Sequence, residues 1–392
     1  TMFGVWILFL GIATVRTLRL DFAMLTGFAL GGALLTKSPS LFYSLLLPAN
    51  VLFLPIAKKV KKLNISYKNI FSFVGLSLVT YLIGYGIYNI LRLGPNFHLI
   101  AQRNKDYVLP LSHLLTKPLD PFLPYIDRVR EWIWMLGPAG LVVLAVGGLF
   151  FGLKRYTRET MVLVAWAFIP LFAQAEFAKA ITARYILFSF PTLITIASVV
   201  FLIKNRQIKV IIYGVFTFFL VHASIIDYQL LTDPQKAPLP QSERSGYLEE
   251  WTAGSGIRES AEFFKDKYEK DPDTKIVVGT EGFFGTLPDG LQIYLKDYPQ
   301  ITVIGIGLSF QTVPKSLLES KAFGNKTYLV VNSSRFNEMF KINDYSKLGL
   351  DLIATYPKAK RMQLDSHEYY FYGERDYLYL FEVTDLAVNT QR

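Results

Sequence analysis

Between residues 1 and 231 the chain returns eight times to an apolar run that carries almost no charge: 1–15, 21–36, 39–57, 70–91, 132–152, 160–174, 184–203 and 210–230. No other feature narrows the choice of fold so far. A helix rises about 1.5 Å per residue, so crossing the roughly 30 Å hydrocarbon core of a bilayer takes about 20 apolar residues. Runs of this length, repeated eight times, predict a polytopic α-helical membrane protein with about eight transmembrane helices. The composition agrees: 52% of the 392 residues are hydrophobic and only 18% are charged, less than a soluble surface of this size requires.

The first run, "TMFGVWILFLGIATV", has no basic n-region and no loop ahead of it. The sequence therefore reads as the C-terminal part of a longer protein. The loops supply an orientation. "KKVKKLNISYK" (58–68) holds five lysines and no acid, and "KRYTRE" (154–159) and "KNRQIK" (204–209) are also basic. Placing these loops in the cytoplasm puts "RTLRL" (16–20) there too, by alternation. It puts 37–38, 92–131, 175–183 and everything after 231 outside, which predicts a multi-pass protein of the cell membrane. The charge divides at the same place, +14 for residues 1–231 and −4 for 232–392. Positives confined between apolar runs do not make a nucleic-acid surface, so no nucleic-acid partner is expected. Cysteine is absent, which excludes disulfides and thiolate metal sites, and the four histidines (His98, His113, His222, His367) lack zinc-ligand spacing.

Three outer segments carry candidate chemistry. In "GGALLTKSPS" (31–40), Lys37 closes an apolar run and Ser38-Pro39-Ser40 opens the next. One reading is a snorkelling lysine whose ammonium reaches water. The other joins the cation to the free backbone N–H groups of a Ser-Pro helix start, which makes half of a phosphate site. The stretch 89–134 is too long for a simple connector, and its Leu, Phe and Pro residues predict short amphipathic helices at the bilayer surface. There Arg92, His98, Arg103 and Lys105 supply cations and donors, for a bound phosphate or for lipid headgroups. The third segment, "QAEFAKAITARYILFSFPTL" (174–193), interrupts an apolar region with Glu176, Lys179 and Arg184. Ionisable residues at such depth mark a site, the alternative being an interfacial hairpin anchored by Lys179 and Tyr185. Pro191 predicts a kink in the helix that follows.

The segments "GFALGGALLTKSPS", "NILRLGPNFHLIAQRNKDY" and "FAKAITARYILFSFPTL" resemble the lipid-linked glycosyltransferases of the GT-C type. The nearest branch is that of the bacterial relatives of dolichyl-phosphate-mannose protein mannosyltransferases, alongside the aminoarabinose transferases. The resemblance covers roughly residues 1–230. It implies an outward-facing cavity in which a polyprenyl-phosphate sugar gives its sugar, with inversion, to an extracytoplasmic lipid, glycan or protein acceptor. By matching to the family pattern, Lys37 and Arg184 are the donor-phosphate partners, with Arg92, His98 and Arg103 as further candidates. The family's catalytic carboxylate belongs to an acidic pair in the first outer loop, and nothing here matches that loop: Asp21 adjoins an inner loop and Asp106 lies in a later outer one. The catalytic residue is therefore expected upstream of Thr1. No cofactor is assigned; a divalent metal would need that same acidic pair.

Residues 232–256, rich in Pro, Ser and Gly, read as a linker to an α/β domain at 257–392. Helices are predicted at 257–269, 287–298, 314–323 and 334–342. Strands are predicted at 274–280, 301–307 and 326–333, then near "LDLIATYPK", at "HEYYFYG", and at 376–383, where the last closes the chain. That alternation predicts a largely parallel sheet with an antiparallel end. "VVGTEGFFGTLPDG" (277–290) follows a strand, where open α/β sheets bind ligands. Glu281 opposes a phosphate there, so the ligand reading is a sugar, with Glu281 and Asp289 accepting hydroxyls and Phe283 or Phe284 stacking. The plainer reading is a glycine-rich packing turn. Competing with the transferase are a non-catalytic lipid-phosphate or sugar-binding membrane protein, and a transporter. The latter usually shows paired interrupted helices, and no second copy of the LLTKSPS break is present.

Overall fold

The computed structural model describes residues 1–53, 67–308, 312–335 and 342–390. The chain divides into two compact units, Thr1–Asp227 and Tyr228–Arg392.

The first unit is helical. Helices α1 (Met2–Thr17) and α2 (Leu20–Thr36) lead to a 3₁₀ turn at Ser38–Ser40, a short α3 (Leu41–Leu46) and a 3₁₀ stretch at Leu47–Phe53. After α4 (Tyr67–Tyr88), the long stretch before the next apolar run forms three helices, α5 (Phe97–Tyr107), α6 (His113–Thr116) and α7 (Phe122–Leu136). Then come α8 (Pro138–Arg155), α9 (Thr157–Phe177), α10 (Phe190–Ser198) and α11 (Arg206–Thr232).

Among the described residues four helices, not eight, are long and apolar enough to cross a membrane: Tyr67–Leu93, Pro138–Arg155, Thr157–Phe177 and Arg206–Thr232. The other four apolar runs form helices of 10–17 residues, and 17 residues rise only about 25 Å. Local backbone explains each shortfall. Leu18 takes a left-handed conformation (φ 52°) and ends α1 between Arg16 and Arg19. Lys37 is extended (φ −164°) and ends α2. The third run loses its α geometry at Leu47–Phe53, where Pro48 lacks an amide hydrogen. The run at 184–203 divides into Ala183–Ile186, α10 and Val199–Leu202. The start expected at residue 132 is also wrong, since 132–136 completes α7 and α8 begins afresh at Pro138. Pro191 sits in the first turn of α10, where a missing N–H costs nothing, so it starts that helix rather than kinking it.

Ile7, Leu30, Tyr43, Leu46 and Trp166 form the largest buried cluster of this unit. In "GFALG" two glycines one turn apart face α4; a Cβ on Gly31 would lie 2.7 Å from that of Ile87. Small residues at this spacing let helix backbones approach closely in lipid. Phe71, Leu82, Val210, Ile211 and Phe218 on α4 and α11 are exposed instead, which is unfavourable against water and natural against hydrocarbon.

The second unit begins with short helical turns, including α12 (Gln241–Arg244), then α13 (Ile257–Lys270) and β1 (Ile276–Thr280). α14 (Thr286–Leu295), β2 (Ile301–Gly305), α15 (Lys315–Ala322) and β3 (Lys326–Asn332) follow, and β4 (Leu350–Pro357), α16 (His367–Tyr372), β5 (Tyr377–Val383) and α17 (Asp385–Thr390) complete it. The sheet order is β2-β1-β3-β5-β4. β2, β1 and β3 run parallel and β5 runs antiparallel to both of its neighbours, β3 and β4, with Ile276 level with Ile301 and Lys326, and Leu329 level with Phe381. β1 is buried along its whole length, as a central parallel strand should be. Helices α13 and α14 cover one face through Phe264 and Leu291, and Leu317 of α15 and Ala387 of α17 cover the other.

Two expectations fail here. "HEYYFYG" is helix α16, not a strand, because Ser366 caps it by accepting from the Tyr369 amide (3.1 Å) and Gly373 (φ 77°) ends it. The chain does not close on β5 either, since α17 follows. The helix expected at 334–342 falls mostly on residues 336–341, outside the described residues. Within 232–256, Arg244 and Glu249 are buried as an ion pair 2.6 Å apart.

Candidate functional site

The break after α2 positions Lys37. Its amide still donates to Ala33 O (3.2 Å), its carbonyl already accepts from Ser40 N (3.0 Å), and its extended backbone turns the side chain off the helix end. Arg184 arrives from the other side of the unit on the 3₁₀ turn Ala183–Ile186. The two cations share one aromatic ring: Lys37 Nζ lies 4.1 Å from the centroid of Tyr185, and Arg184 Cζ lies 5.4 Å from it.

Both line a cavity of about 160 Å³, together with Phe3, Thr36, Ser40, Tyr43, Gln174 and Phe188 among others. Tyr43 is stacked on Trp166 at 5.5 Å, which fixes one wall. Among the described residues, no carboxylate lines this cavity, and none lies within ion-pair distance of Lys37 or Arg184. Gln174 Nε2, in the same lining, is buried without a partner among the described residues. Two unneutralised cations, hydroxyls and a free amide donor make a site for an anion. The expected Ser-Pro helix start contributes less, because it is a three-residue 3₁₀ turn whose Ser40 amide is already bonded to Lys37.

The other cationic candidates are placed elsewhere. Arg92 is exposed with its guanidinium 5.5 Å from the Phe97 ring, and His98 is exposed on α5; neither lines the cavity. The side chain of Arg103 lies outside the described residues. Lys179 ties two loops together by donating to Lys105 O (2.6 Å), while its own carbonyl accepts from Tyr125 Oη (2.8 Å). Glu176 is buried with Oε1 unpartnered among the described residues, away from the cavity lining. Gln174 carried no sequence signal; a single amide in an apolar helix looks like any other polar residue until its neighbours are known. A larger, almost wholly apolar cavity of about 620 Å³ lies among α7, α8, α9 and α10, lined by Trp134, Leu141, Val146, Phe168, Leu193 and Ile196 among others.

In the sheet unit, the four sugar-contact candidates separate. Glu281 is 4% exposed, accepts from Asn332 N (2.7 Å) and from Asn332 Nδ2, and lies 3.9 Å from Arg335 Nε. Burial pushes its carboxyl up to about 7, against the opposing pull of the Asn332 hydrogen bonds. Asp289 accepts from Gly285 N (3.0 Å) at the start of α14, so it caps that helix. Phe283 and Phe284 are exposed, at 71% and 78%. Beside Glu281, Lys358 and Asp376 form a fully buried pair 3.5 Å apart. Burial lowers the Lys358 ammonium pKa and Asp376 opposes the shift. Among the described residues no His/Asp/Glu cluster able to hold a metal is present.

The chain matches no protein-family model, no curated protein and no solved structure.

Proposed function

We propose that this chain is a membrane glycosyltransferase of the GT-C kind, which takes a sugar from a polyprenyl-phosphate donor and passes it to an extracytoplasmic acceptor. The observation that carries the reading is the convergence of Lys37 and Arg184 in one cavity without a carboxylate. As the glycosidic bond breaks, negative charge develops on the lipid phosphate, and cations aimed at it stabilise the transition state more than the ground state. Ser40 and Gln174 supply further donors, and the apolar cavity among α7–α10 suits hydrocarbon. The general base that deprotonates the acceptor lies outside the described lining of the cavity. In this reading the shorter apolar helices are embedded with the four spanning ones, and the sheet unit lies on the extracytoplasmic side.

The test is transfer by the full-length protein. Lys37→Ala and Arg184→Ala should each lower the rate at least about tenfold with expression unchanged, the loss of one charge-assisted contact. Wild-type rates in both variants would refute the assignment. The carboxylate-free lining also favours a second reading, a protein that binds lipid phosphate without chemistry; saturable donor binding with no sugar transfer would select it.

A further inference from the structure

The parallel strands of the sheet unit lie in the order β2-β1-β3. The chain leaves β1 through α14 on one face and reaches β3 through α15 on the other. The carboxyl ends of β1 and β3 therefore flank a topological switch point, where diverging connections leave a crevice suited to ligands. Glu281 directly follows β1, Asn332 is the last residue of β3, and Arg335 ends the turn after it.

These groups are only partly used. Asn332 is 1% exposed; its Nδ2 donates to Glu281 and to Trp251 O (3.3 Å), yet among the described residues its Oδ1 has no partner. Arg335 Nε is likewise buried and unpartnered by any hydrogen bond, with its guanidinium 4.1 Å from the Trp251 ring centroid. Leaving an acceptor and a donor unpaired in a dry site is costly unless a ligand completes them.

A hydroxyl both donates and accepts, so a neutral polyol satisfies both atoms. A carboxylate offers Asn332 Oδ1 no donor, and any anion, phosphate included, meets Glu281. An ammonium meets Arg335 and Lys358. Ring faces are at hand: Trp251 is 43% exposed, and Phe283 and Phe284 project into solvent just beyond Glu281. Apolar rings around a few convergent polar groups are the usual composition of a small-ligand site.

We propose that the carboxyl ends of β1 and β3 form a saccharide-binding site, in which Asn332 Oδ1 and Arg335 Nε hold neighbouring hydroxyls of one sugar residue against the rings of Trp251, Phe283 and Phe284. The site is separate from the Lys37–Arg184 cavity and does not rest on the reading of that cavity.

The experiment titrates the full-length chain in lipid nanodiscs with methyl mannoside, methyl glucoside, galactose, N-acetylglucosamine and, separately, inorganic phosphate. At least one sugar should bind saturably, with a dissociation constant on the order of 1 mM. Trp251→Ala and the double variant Phe283→Ser/Phe284→Ser, all at exposed positions that keep the fold, should each weaken that binding about tenfold. Lys37→Ala should leave it unchanged. Failure of every sugar to bind up to roughly 50 mM overturns the proposal. So does binding that survives the aromatic variants, binding lost in Lys37→Ala, or phosphate as the ligand sensitive to Trp251→Ala.

Discussion

Lys37 owes its exposure to a single change of backbone, from the last α2 hydrogen bond to an extended residue, and that placement lets it meet Arg184. Glu281 shows the opposite case, a carboxyl kept inside. Its folded-state pKa of about 7 stands above the roughly 4.3 of an unfolded glutamate. The protonated form is the one the fold prefers. Its stabilising contribution is therefore complete below about pH 4 and is lost as the pH rises through 7, a difference of at most about 4 kcal/mol. Glu281→Gln keeps the shape and removes the titration. Scanning calorimetry should find it about 5 °C more stable than wild type in the sheet-unit transition at pH 8, and nearly equal at pH 5. A wild type more stable than the variant at pH 8 would show that Arg335 and Lys358 outweigh the burial of the charge.

At the scale of elements, α8 and α9 are each long and apolar enough to cross a membrane and are joined through basic residues, which the proposed orientation puts in the cytoplasm. The chain has no cysteine, so single cysteines can report sidedness. With impermeant maleimide added to intact cells, Asp297→Cys in the sheet unit should label and Lys154→Cys in the last turn of α8 should not; the reverse pattern would overturn the orientation. Short apolar runs made β1, β2, β3 and β5 readable before any coordinates, because each is β-branched or aromatic and lies between turn residues. The helical count was not readable in the same way. Hydropathy reports where a chain prefers lipid, not where Leu18 turns left-handed or where Gly137–Pro138 restarts a helix. "HEYYFYG" has strand-like aromatics, and only the Ser366 cap reveals its helix. In the site, Lys37 and Arg184 could be named from their segments; the ring they share and the free amide of Gln174 depend on packing between elements distant in the chain.

The whole molecule is a basic, lipid-suited helical unit followed by an acidic sheet unit, each with its own core and its own polar site. Under the proposed function, the first of those sites recognises the phosphate of a lipid, not its hydrocarbon. The most direct measurement titrates the full-length protein in nanodiscs with a polyprenyl phosphate and with the matching polyprenol. Saturable binding of the phosphate alone is expected, weakened about tenfold or more by Lys37→Ala and by Arg184→Ala. Equal binding of the polyprenol, or phosphate binding that neither variant weakens, would contradict it.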